Sequence, residues 1–253
     1  MLKLVNVTKS FNKTNGDRFL AISNMNLDIN ENEFVCIVGP SGCGKTTTLR
    51  LISGLEVPTD GKIVLEGNEI NGPDPERGVV FQEYTLFPWR SVIENVMFGL
   101  EVKKVGKKER TQTAKKYLEM VGLAEYADAY PYELSGGMQQ RVAIIRALAV
   151  NPKILLMDEP FGALDARNRA SLQNELIRIW GNDQKTVLFV THSINEAISL
   201  ADRVVIMKSR PGRIHDIIKV DLARPRDKMG KVFKDYYIRI RDMLENDLEK
   251  GGP

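Results

Sequence analysis

Short apolar runs of strand length alternate along the first part of the chain with polar residues and glycines. This pattern predicts β-strands, because a strand with a buried face needs apolar side chains over a run of about four to eight residues. The predicted strands cover residues 2–7, 20–29, 33–38, 62–65 and 78–81. A helix over residues 46–53 follows the third strand, and Gly54 and Pro58 mark its end.

The second part of the chain combines helical periodicity with further apolar runs. Apolar residues spaced by threes and fours predict helical structure over residues 92–130 and again over 138–150. Predicted strands at 153–157, 186–191, 203–207 and 214–220 then alternate with helices at 166–180 and 193–200. Alternation of this kind indicates a parallel sheet covered by helices.

An amphipathic helix is predicted near the end of the sequence. Its apolar positions are Phe233, Tyr236, Tyr237, Ile240 and Leu244. We interpret this stripe as a packing surface rather than a membrane anchor, because the opposite face mixes both signs of charge.

The composition is that of a globular protein, with 43% hydrophobic and 27% charged residues among 253. No apolar run approaches the roughly 18 residues that cross a bilayer, and the N-terminus lacks the pattern of a signal peptide. We therefore expect a cytosolic chain that reaches a membrane only through a partner. The net charge of +3 is too small to predict a nucleic-acid partner, and we interpret the basic cluster at residues 103–110 as a solvated helix face.

A glycine-rich loop connects the third predicted strand to the first predicted helix, in the pattern of a Walker A loop. Its backbone amides and the helix N-terminus favour phosphate groups. We predict that Lys45 reaches the β and γ phosphate oxygens of ATP, that Thr46 places its hydroxyl on Mg²⁺, and that Thr47 bonds a phosphate oxygen. The predicted nucleotide-binding residues of the loop are Gly39, Pro40, Ser41, Gly42, Cys43, Gly44, Lys45, Thr46 and Thr47.

The two cysteines do not form a disulfide framework. We interpret Cys36 as part of a strand core. Cys43 lies inside the phosphate loop, next to the start of the following helix, and a helix N-terminus lowers the pKa of a thiol. We therefore expect Cys43 to be alkylated readily, and bound ATP to block the modification.

Polar residues follow three of the predicted strands at their carboxyl ends, where a parallel sheet exposes its ligands. Asp158 can hold Mg²⁺ through water, and the adjacent Glu159 can activate the attacking water as a catalytic base. Gln82 can contact both the metal and that water. His192 can bond the γ-phosphate, although a structural histidine is an equally good interpretation of this residue alone.

A second candidate anion site lies just before the strand that ends at Asp158. There Leu134-Ser135-Gly136-Gly137-Met138-Gln139-Gln140-Arg141 places a Ser-Gly-Gly turn at the opening of a predicted helix. One ATP molecule does not need two such sites. The simplest interpretation is that each chain binds ATP at its first site and closes on a partner's ATP with its second.

These motifs, together with Ala163-Leu164-Asp165, occur in the order found in ATP-binding cassette (ABC) ATPases, which the chain resembles over most of its length. The resemblance implies that Ser135, Gly136, Gly137 and Gln139 contact the ATP of the opposite protomer and that Asp165 bridges the two protomers. It also implies that Phe11 stacks on adenine. A core phenylalanine is the alternative interpretation of Phe11.

Within that family, the chain is similar to importer ATPases for nitrate, sulfonates, taurine and related small anions. The similarity is based on residues 81–90, 176–180 and 209–214. About 30 residues follow the last predicted strand, so we expect no C-terminal regulatory β-domain of the sugar-importer type.

The resemblance implies a P-loop NTPase of the α/β class, with a RecA-like parallel-sheet core, an N-terminal antiparallel β region and an inserted α-helical subdomain. We predict a catalytic core from residues 1–90 and 151–222. A helical subdomain would occupy 91–150 and would contain residues 134–141, which we call the signature segment. A helical extension would occupy 223–253.

The expected function is the ATP-hydrolysing, homodimeric subunit of an importer. It would lie peripherally at the cytoplasmic face of the cell membrane and act with two permease subunits and, indirectly, a solute-binding protein. We expect the permeases to dock beside Gln82, in a groove lined by residues 84–90, unless the aromatic residues there are buried locally. One alternative is a soluble ABC ATPase that acts on DNA or ribosomes. Another is a P-loop kinase, which leaves the segment at 134–141 unexplained.

Overall fold

The computed structural model describes residues 1–12, 16–162, 164–183 and 185–245, which divide into two compact units. The first unit contains Met1–Asp74 and the chain from Thr186 onward, and the second contains Pro75–Lys185. Ala163 and the end of the predicted C-terminal extension lie outside the described residues.

Ten strands and seven α-helices follow one another along the described chain. The strands are β1 (Leu2–Asn12), β2 (Arg18–Ile29), β3 (Phe34–Val38), β4 (Asp60–Leu65), β5 (Asn68–Glu69), β6 (Arg77–Val80), β7 (Ile154–Asp158), β8 (Thr186–Thr191), β9 (Arg203–Lys208) and β10 (Arg213–Lys219). The α-helices are α1 (Lys45–Ser53), α2 (Val92–Val102), α3 (Lys107–Met120), α4 (Gly136–Ala149), α5 (Ala166–Asp183), α6 (Ile194–Leu200) and α7 (Lys231–Glu245). Two short 3₁₀ helices cover Ala124–Tyr126 and Pro131–Glu133.

The first unit contains an antiparallel sheet in the order β2-β1-β4-β5, which confirms the predicted N-terminal antiparallel region. It also contains strand β3 between β8 and β9, all three parallel, with β10 antiparallel to β9. Every residue of β3 and β8 is buried, because α1 packs against β8 and α6 packs against β3. Continuous burial explains why these strands are unbroken apolar runs in the sequence rather than alternating ones.

The second unit pairs β6 with β7 in parallel and packs α2 against α3 and α4. A capping box begins α2: Ser91 accepts a hydrogen bond from the Glu94 amide, and the Glu94 carboxylate accepts one from the Ser91 amide. Such reciprocal bonds satisfy amides that would otherwise lack partners at the start of a helix.

The prediction of continuous helical structure over residues 92–130 is wrong. Helix α2 ends at Val102, and the chain then turns through Lys104, which has a positive φ of 59°. A helix cannot continue through a left-handed residue, so α3 begins anew at Lys107. The structure also contains the two-residue strand β5, which the sequence pattern did not indicate.

Helix α7 packs against α6 and β9 within the first unit, and buries Phe233 and Ile240 from its apolar stripe. This confirms the interpretation of the stripe as a packing surface. Among the described residues, none of the helices combines the length and the apolar character needed to cross a membrane.

Candidate functional site

The Walker A loop lies in the first unit, between the fully buried strand β3 and the first turn of α1. Gly44 is the N-cap of α1 with a φ of 93°, and Gly42 has a φ of 76°, values that residues with a Cβ rarely adopt. The Cys43 amide donates to the Pro40 carbonyl at 3.3 Å, which closes the loop. Ser41, Gly42 and Thr46 are exposed around it. The arrangement presents a helix N-terminus to solvent, as an anion site requires.

Lys45, the first residue of α1, directs its side chain back over this loop. The ammonium donates to the Gly39 carbonyl at 2.9 Å and to the Pro40 carbonyl at 3.1 Å, and Lys45 is only 7% exposed. The positive charge is therefore fixed at the loop itself. Thr46 and Thr47 follow it on the first turn of the helix.

The expectation of a reactive thiol at Cys43 is wrong. Its residue is fully buried, and desolvation by that burial raises the pKa of the thiol above its ordinary value. The Lys45 charge and the backbone amides act in the opposite direction but are the smaller contributions. Desolvation of the thiolate therefore outweighs the helix N-terminus at this position.

Alkylation of the native protein is expected to be slow at neutral pH at both Cys43 and Cys36, because burial raises the pKa of each thiol and shields it from reagent. The rate at Cys43 should increase with pH, since deprotonation requires passing the raised pKa. Mass-resolved iodoacetamide labelling would measure both rates, with the unfolded chain as the control. Labelling of native Cys43 as fast as that of the unfolded chain would contradict this expectation.

His192 lies at the same edge of the sheet as the Walker A loop. Val38, the last residue of β3, is in register with Thr191, the last residue of β8. Gly39 and His192 therefore leave neighbouring parallel strands in the same direction, and the His192 side chain is exposed. The structure thus places the predicted γ-phosphate ligand beside the predicted phosphate loop.

Phe11 lies in the last part of β1, opposite Phe19 of β2. It is half-buried, and the ammonium of Lys9 lies 4.8 Å from the centroid of its ring. Part of the ring surface is therefore accessible, as a stacking contact with a base would need. Its role in binding adenine stays a prediction.

In the second unit, Asp158 and Glu159 follow one another at the carboxyl end of β7. Asp158 is the last residue of the strand and is 7% exposed. Glu159 adopts a positive φ of 44°, a conformation that costs a non-glycine residue about 1–3 kcal/mol. The turn continues with a hydrogen bond from the Gly162 amide to the Glu159 carbonyl at 3.0 Å. Backbone strain of this kind is concentrated at functional sites, which fits the predicted role of Glu159.

Gln82 lies at the matching end of the neighbouring strand β6. Val80 is in register with Met157, so Gln82 and Asp158 emerge at the same edge. The Gln82 amide nitrogen lies close to Gly162, 3.7 Å from where a Cβ on that glycine would be. The structure therefore brings Gln82 together with the Asp158-Glu159 turn, as the sequence predicts.

The signature segment forms the start of α4 in the same unit. Ser135 is the N-cap of the helix and accepts a hydrogen bond from the Met138 amide, and Ser135 is exposed to solvent. Gln139 donates from its side chain to the Leu134 carbonyl at 3.1 Å, which fixes the entry into the helix. Gly136 and Gly137 form the first turn. Asp165 is the residue before α5 and is exposed. Its carbonyl accepts a hydrogen bond from the Arg169 amide.

Side-chain contacts connect helix α4 to the loop after Gln82, and the sequence did not indicate them. Arg146 of α4 donates to the carbonyl of Thr85 at 2.8 Å and to its hydroxyl at 3.0 Å, and its guanidinium lies over the ring of Phe87. Burial lowers the pKa of Arg146. The hydroxyl of Tyr84 lies 2.7 Å from where a Cβ on Gly136 would be, so a larger residue at this position would require the Tyr84 side chain to shift. The loop is therefore bonded to α4 through Arg146 and lies close to the start of the helix at Gly136.

The aromatic residues of that loop are divided between the protein and the solvent. Phe87 packs against Phe98 with ring centroids 4.6 Å apart, and the buried side chain of Asn95 bonds the Phe87 amide and carbonyl. Trp89, 5.6 Å from Phe87, is 70% exposed. Local burial thus accounts for Phe87 but not for Trp89.

The family described as ABC transporter matches residues 22–162 of this chain, from β2 to the turn after Asp158. The chain belongs to the ABC transporter family. Its fold is that of an ABC ATPase, a P-loop NTPase of the α/β class, and it is an enzyme that couples ATP hydrolysis to transport. This excludes the P-loop kinase alternative.

The relatives of this chain include proteins with named transport roles. The uncharacterized ABC transporter ATP-binding protein MJ0412 of Methanocaldococcus jannaschii is 57% identical over 249 residues, covering 98% of this chain and 93% of that protein. The nitrate import ATP-binding protein NrtD of Synechocystis is 49% identical and covers 87% of this chain and 82% of that protein. The bicarbonate transport ATP-binding protein CmpC of Synechococcus elongatus is 46% identical over 94% of this chain, which spans only 36% of that protein.

Solved cassettes share the fold. A dimeric post-hydrolysis structure of the ATP-binding cassette MJ0796, bound to ADP and phosphate, has a TM-score of 0.77 and 38% sequence identity. It covers 88% of this chain and all of that cassette. The ATP-binding assignment is therefore common to the motifs, the relatives and the fold.

Proposed function

We propose that this chain is the homodimeric ATPase subunit of an importer for a small anion, in which ATP-driven closure of two copies is coupled to uptake. The observation that supports this most directly is the presence of two helix N-termini suited to phosphate in one chain, at α1 and at α4. The resemblance to dimeric MJ0796 supports the use of the second site on a partner's nucleotide.

In this proposal, the residues predicted from the sequence act on ATP. Lys45 neutralises the β and γ phosphates, the loop from Gly39 to Thr47 holds them through backbone amides, and Phe11 stacks on the base. Glu159 accepts a proton from the attacking water, while Gln82 and His192 orient that water and the γ-phosphate. Ser135, Gly136, Gly137 and Gln139 contact the ATP of the opposite protomer, and Asp165 bridges the protomers.

The predicted metal ligands fit Mg²⁺ by their chemistry. Thr46, Gln82 and Asp158 offer a hydroxyl, an amide oxygen and a carboxylate, which are the hard oxygen donors that this ion prefers. When bound, Mg²⁺ would neutralise charge on the phosphates. The buried position of Asp158 at the end of β7 favours a role of this kind over that of a surface carboxylate.

The partners of the dimer would be two permease subunits, which receive a solute from a binding protein. The loop from Tyr84 to Arg90 is the proposed docking groove, because it exposes Trp89 on a support made rigid by Asn95 and Arg146. An exposed tryptophan on a fixed loop is the kind of residue that contributes strongly to an interface. Docking there would hold the subunit peripherally at the cytoplasmic face of the membrane.

The proposed cargo is a small anion of the nitrate, sulfonate or taurine type. The similarity to NrtD supports nitrate, and the similarity to CmpC supports the wider class of small oxyanions. A soluble ABC ATPase acting on nucleic acid or ribosomes is the alternative, and the transport roles of these relatives favour an importer.

Coexpression with its permease should carry the subunit into the membrane fraction, and Trp89→Ala should reduce that association by about tenfold or more, because a central interface tryptophan contributes on the order of 2 kcal/mol. The measurement is quantitative immunoblotting of membrane pellets with and without permease. Met229→Ala, which removes a side chain of similar exposure in the first unit, is the matched control. Equal association of Trp89→Ala and the control would reject the docking groove. Failure of the wild type to pellet with the permease would reject the importer.

A further inference from the structure

A buried hydroxyl and a buried carboxylate lie close to His192 in the chain. Thr191 is 1% exposed and Glu196 is 6% exposed. The Thr191 hydroxyl donates to the Glu196 carboxylate at 2.5 Å. The oxygen of this hydroxyl also accepts a hydrogen bond from the Ser193 amide at 3.0 Å. His192 lies between Thr191 and Ser193 in the chain, and it is exposed. One hydroxyl therefore fixes the backbone on both sides of an exposed imidazole.

A second bond closes the same turn. The Glu196 amide donates to the hydroxyl of Ser193, the N-cap of α6, at 3.3 Å. Glu196 is thus bonded through its side chain to the residue before His192 and through its backbone to the residue after it. A hydrogen bond to a buried carboxylate is stronger than one between neutral groups, and a buried carboxylate without partners is costly.

Helix α6 is itself anchored at its other end, so Glu196 does not move independently. Arg226 donates to the carbonyls of Ile198 and, at 2.6 Å, Ala201. Arg224 donates to the Leu200 carbonyl and forms an ion pair with Asp202 at 2.8 Å. Burial lowers the pKa of Arg226 to about 10. Both ends of this short helix are consequently held by side chains.

The turn lies where a nucleotide's terminal phosphate would be needed. Thr191 is in register with Val38, so the turn leaves the sheet next to the Walker A loop of the same unit. We propose that Thr191 and Glu196 are positioning residues, which hold the backbone at His192 so that its imidazole is directed at the γ-phosphate before hydrolysis. This inference rests on the proposed role of His192. A displacement of a catalytic group by about 1 Å can cost about 100-fold in rate, so a rigid turn has a direct kinetic benefit.

Thr191→Val tests the proposal, because valine has the shape of threonine without the hydroxyl. We expect kcat for ATP hydrolysis to fall by about 10-fold to 100-fold, while KM for ATP changes by less than about threefold, since the turn acts after binding. Thr191→Ser restores the hydroxyl and should recover most of the rate. A KM that rises in proportion to the loss of kcat/KM would overturn the proposal.

Glu196 provides a second test if Thr191→Val does not fold, as judged by its thermal melting. Glu196→Gln retains an acceptor for the Thr191 hydroxyl, whereas Glu196→Leu has none. The proposal requires kcat to decrease in the order wild type, Glu196→Gln, Glu196→Leu. Equal values for the two variants would overturn it.

A double-mutant cycle separates positioning from general loss of structure. In a His192→Ala background, Thr191→Val should cause no further fall in kcat, because there is no imidazole left to position. An equal fall in both backgrounds would overturn the positioning role while leaving the proposed role of His192 intact. A His192→Ala subunit with the native rate would instead overturn that role, and with it the inference.

Discussion

Glu159→Gln is expected to bind ATP, to hydrolyse it at least about 100-fold more slowly than the wild type, and to accumulate as a dimer. Glutamine has the size of glutamate and can adopt the same backbone conformation, but it cannot accept a proton from water. General base catalysis contributes about 10²-fold to 10⁴-fold to a rate, which sets the scale of the loss. If hydrolysis is what reopens the dimer, a subunit that cannot hydrolyse ATP should remain closed around it.

Phosphate release and sedimentation velocity, each with saturating Mg-ATP, measure the two parts of this result. Glu125→Gln, which changes a carboxylate that is exposed in the same unit, is the control and should behave like the wild type. Hydrolysis by Glu159→Gln at near the native rate would reject Glu159 as the base. A slow variant that stays monomeric with ATP would leave the base assigned and reject the two-copy arrangement.

The core strands were predictable because their burial is complete. Strand β8 has the bounds that the apolar run predicts, and β3 differs by one residue, since polar residues or a glycine flank both runs. The helical region was harder to delimit. Lys104 interrupts this region through a left-handed backbone conformation, which a lysine in the sequence does not predict. In addition, α3 buries only Ala114 and Leu118. A helix with so narrow a buried face gives a weak periodic signal.

Some parts of the candidate site follow from local sequence motifs, whereas others depend on contacts between distant parts of the chain. Lys45, Asp158, Glu159 and Ser135 belong to contiguous motifs, so their places at strand ends and helix starts follow from the sequence alone. The contact of Arg146 with Thr85 joins residues 61 positions apart, which no local pattern specifies. At Cys43, by contrast, a local pattern gave a wrong prediction. The helix N-terminus predicted a reactive thiol, but burial by the surrounding chain raises the pKa of that thiol.

Gly212 is a further residue whose importance only the fold reveals. It lies between β9 and β10, where its amide donates to the Ala21 carbonyl at 3.0 Å and its carbonyl accepts from the Ser23 amide at 2.9 Å. A Cβ at this position would lie 2.3 Å from the carbonyl oxygen of Cys43 and 2.6 Å from that of Ala21. Neither oxygen belongs to a flexible side chain, so the backbone of the Walker A loop would have to move.

Gly212→Ala should therefore weaken ATP binding by about fivefold or more, because overpacking of this kind costs about 1–3 kcal/mol and each 1.4 kcal/mol changes an equilibrium constant about tenfold. Fluorescence titration with a labelled ATP analogue measures the affinity, and thermal melting reports whether the fold survives. Gly72→Ala is the matched control, because a Cβ there has no atom within 4 Å. If Gly212→Ala binds ATP as tightly as this control, the loop yields to the added methyl group. The phosphate site would then not depend on support from the segment between β9 and β10.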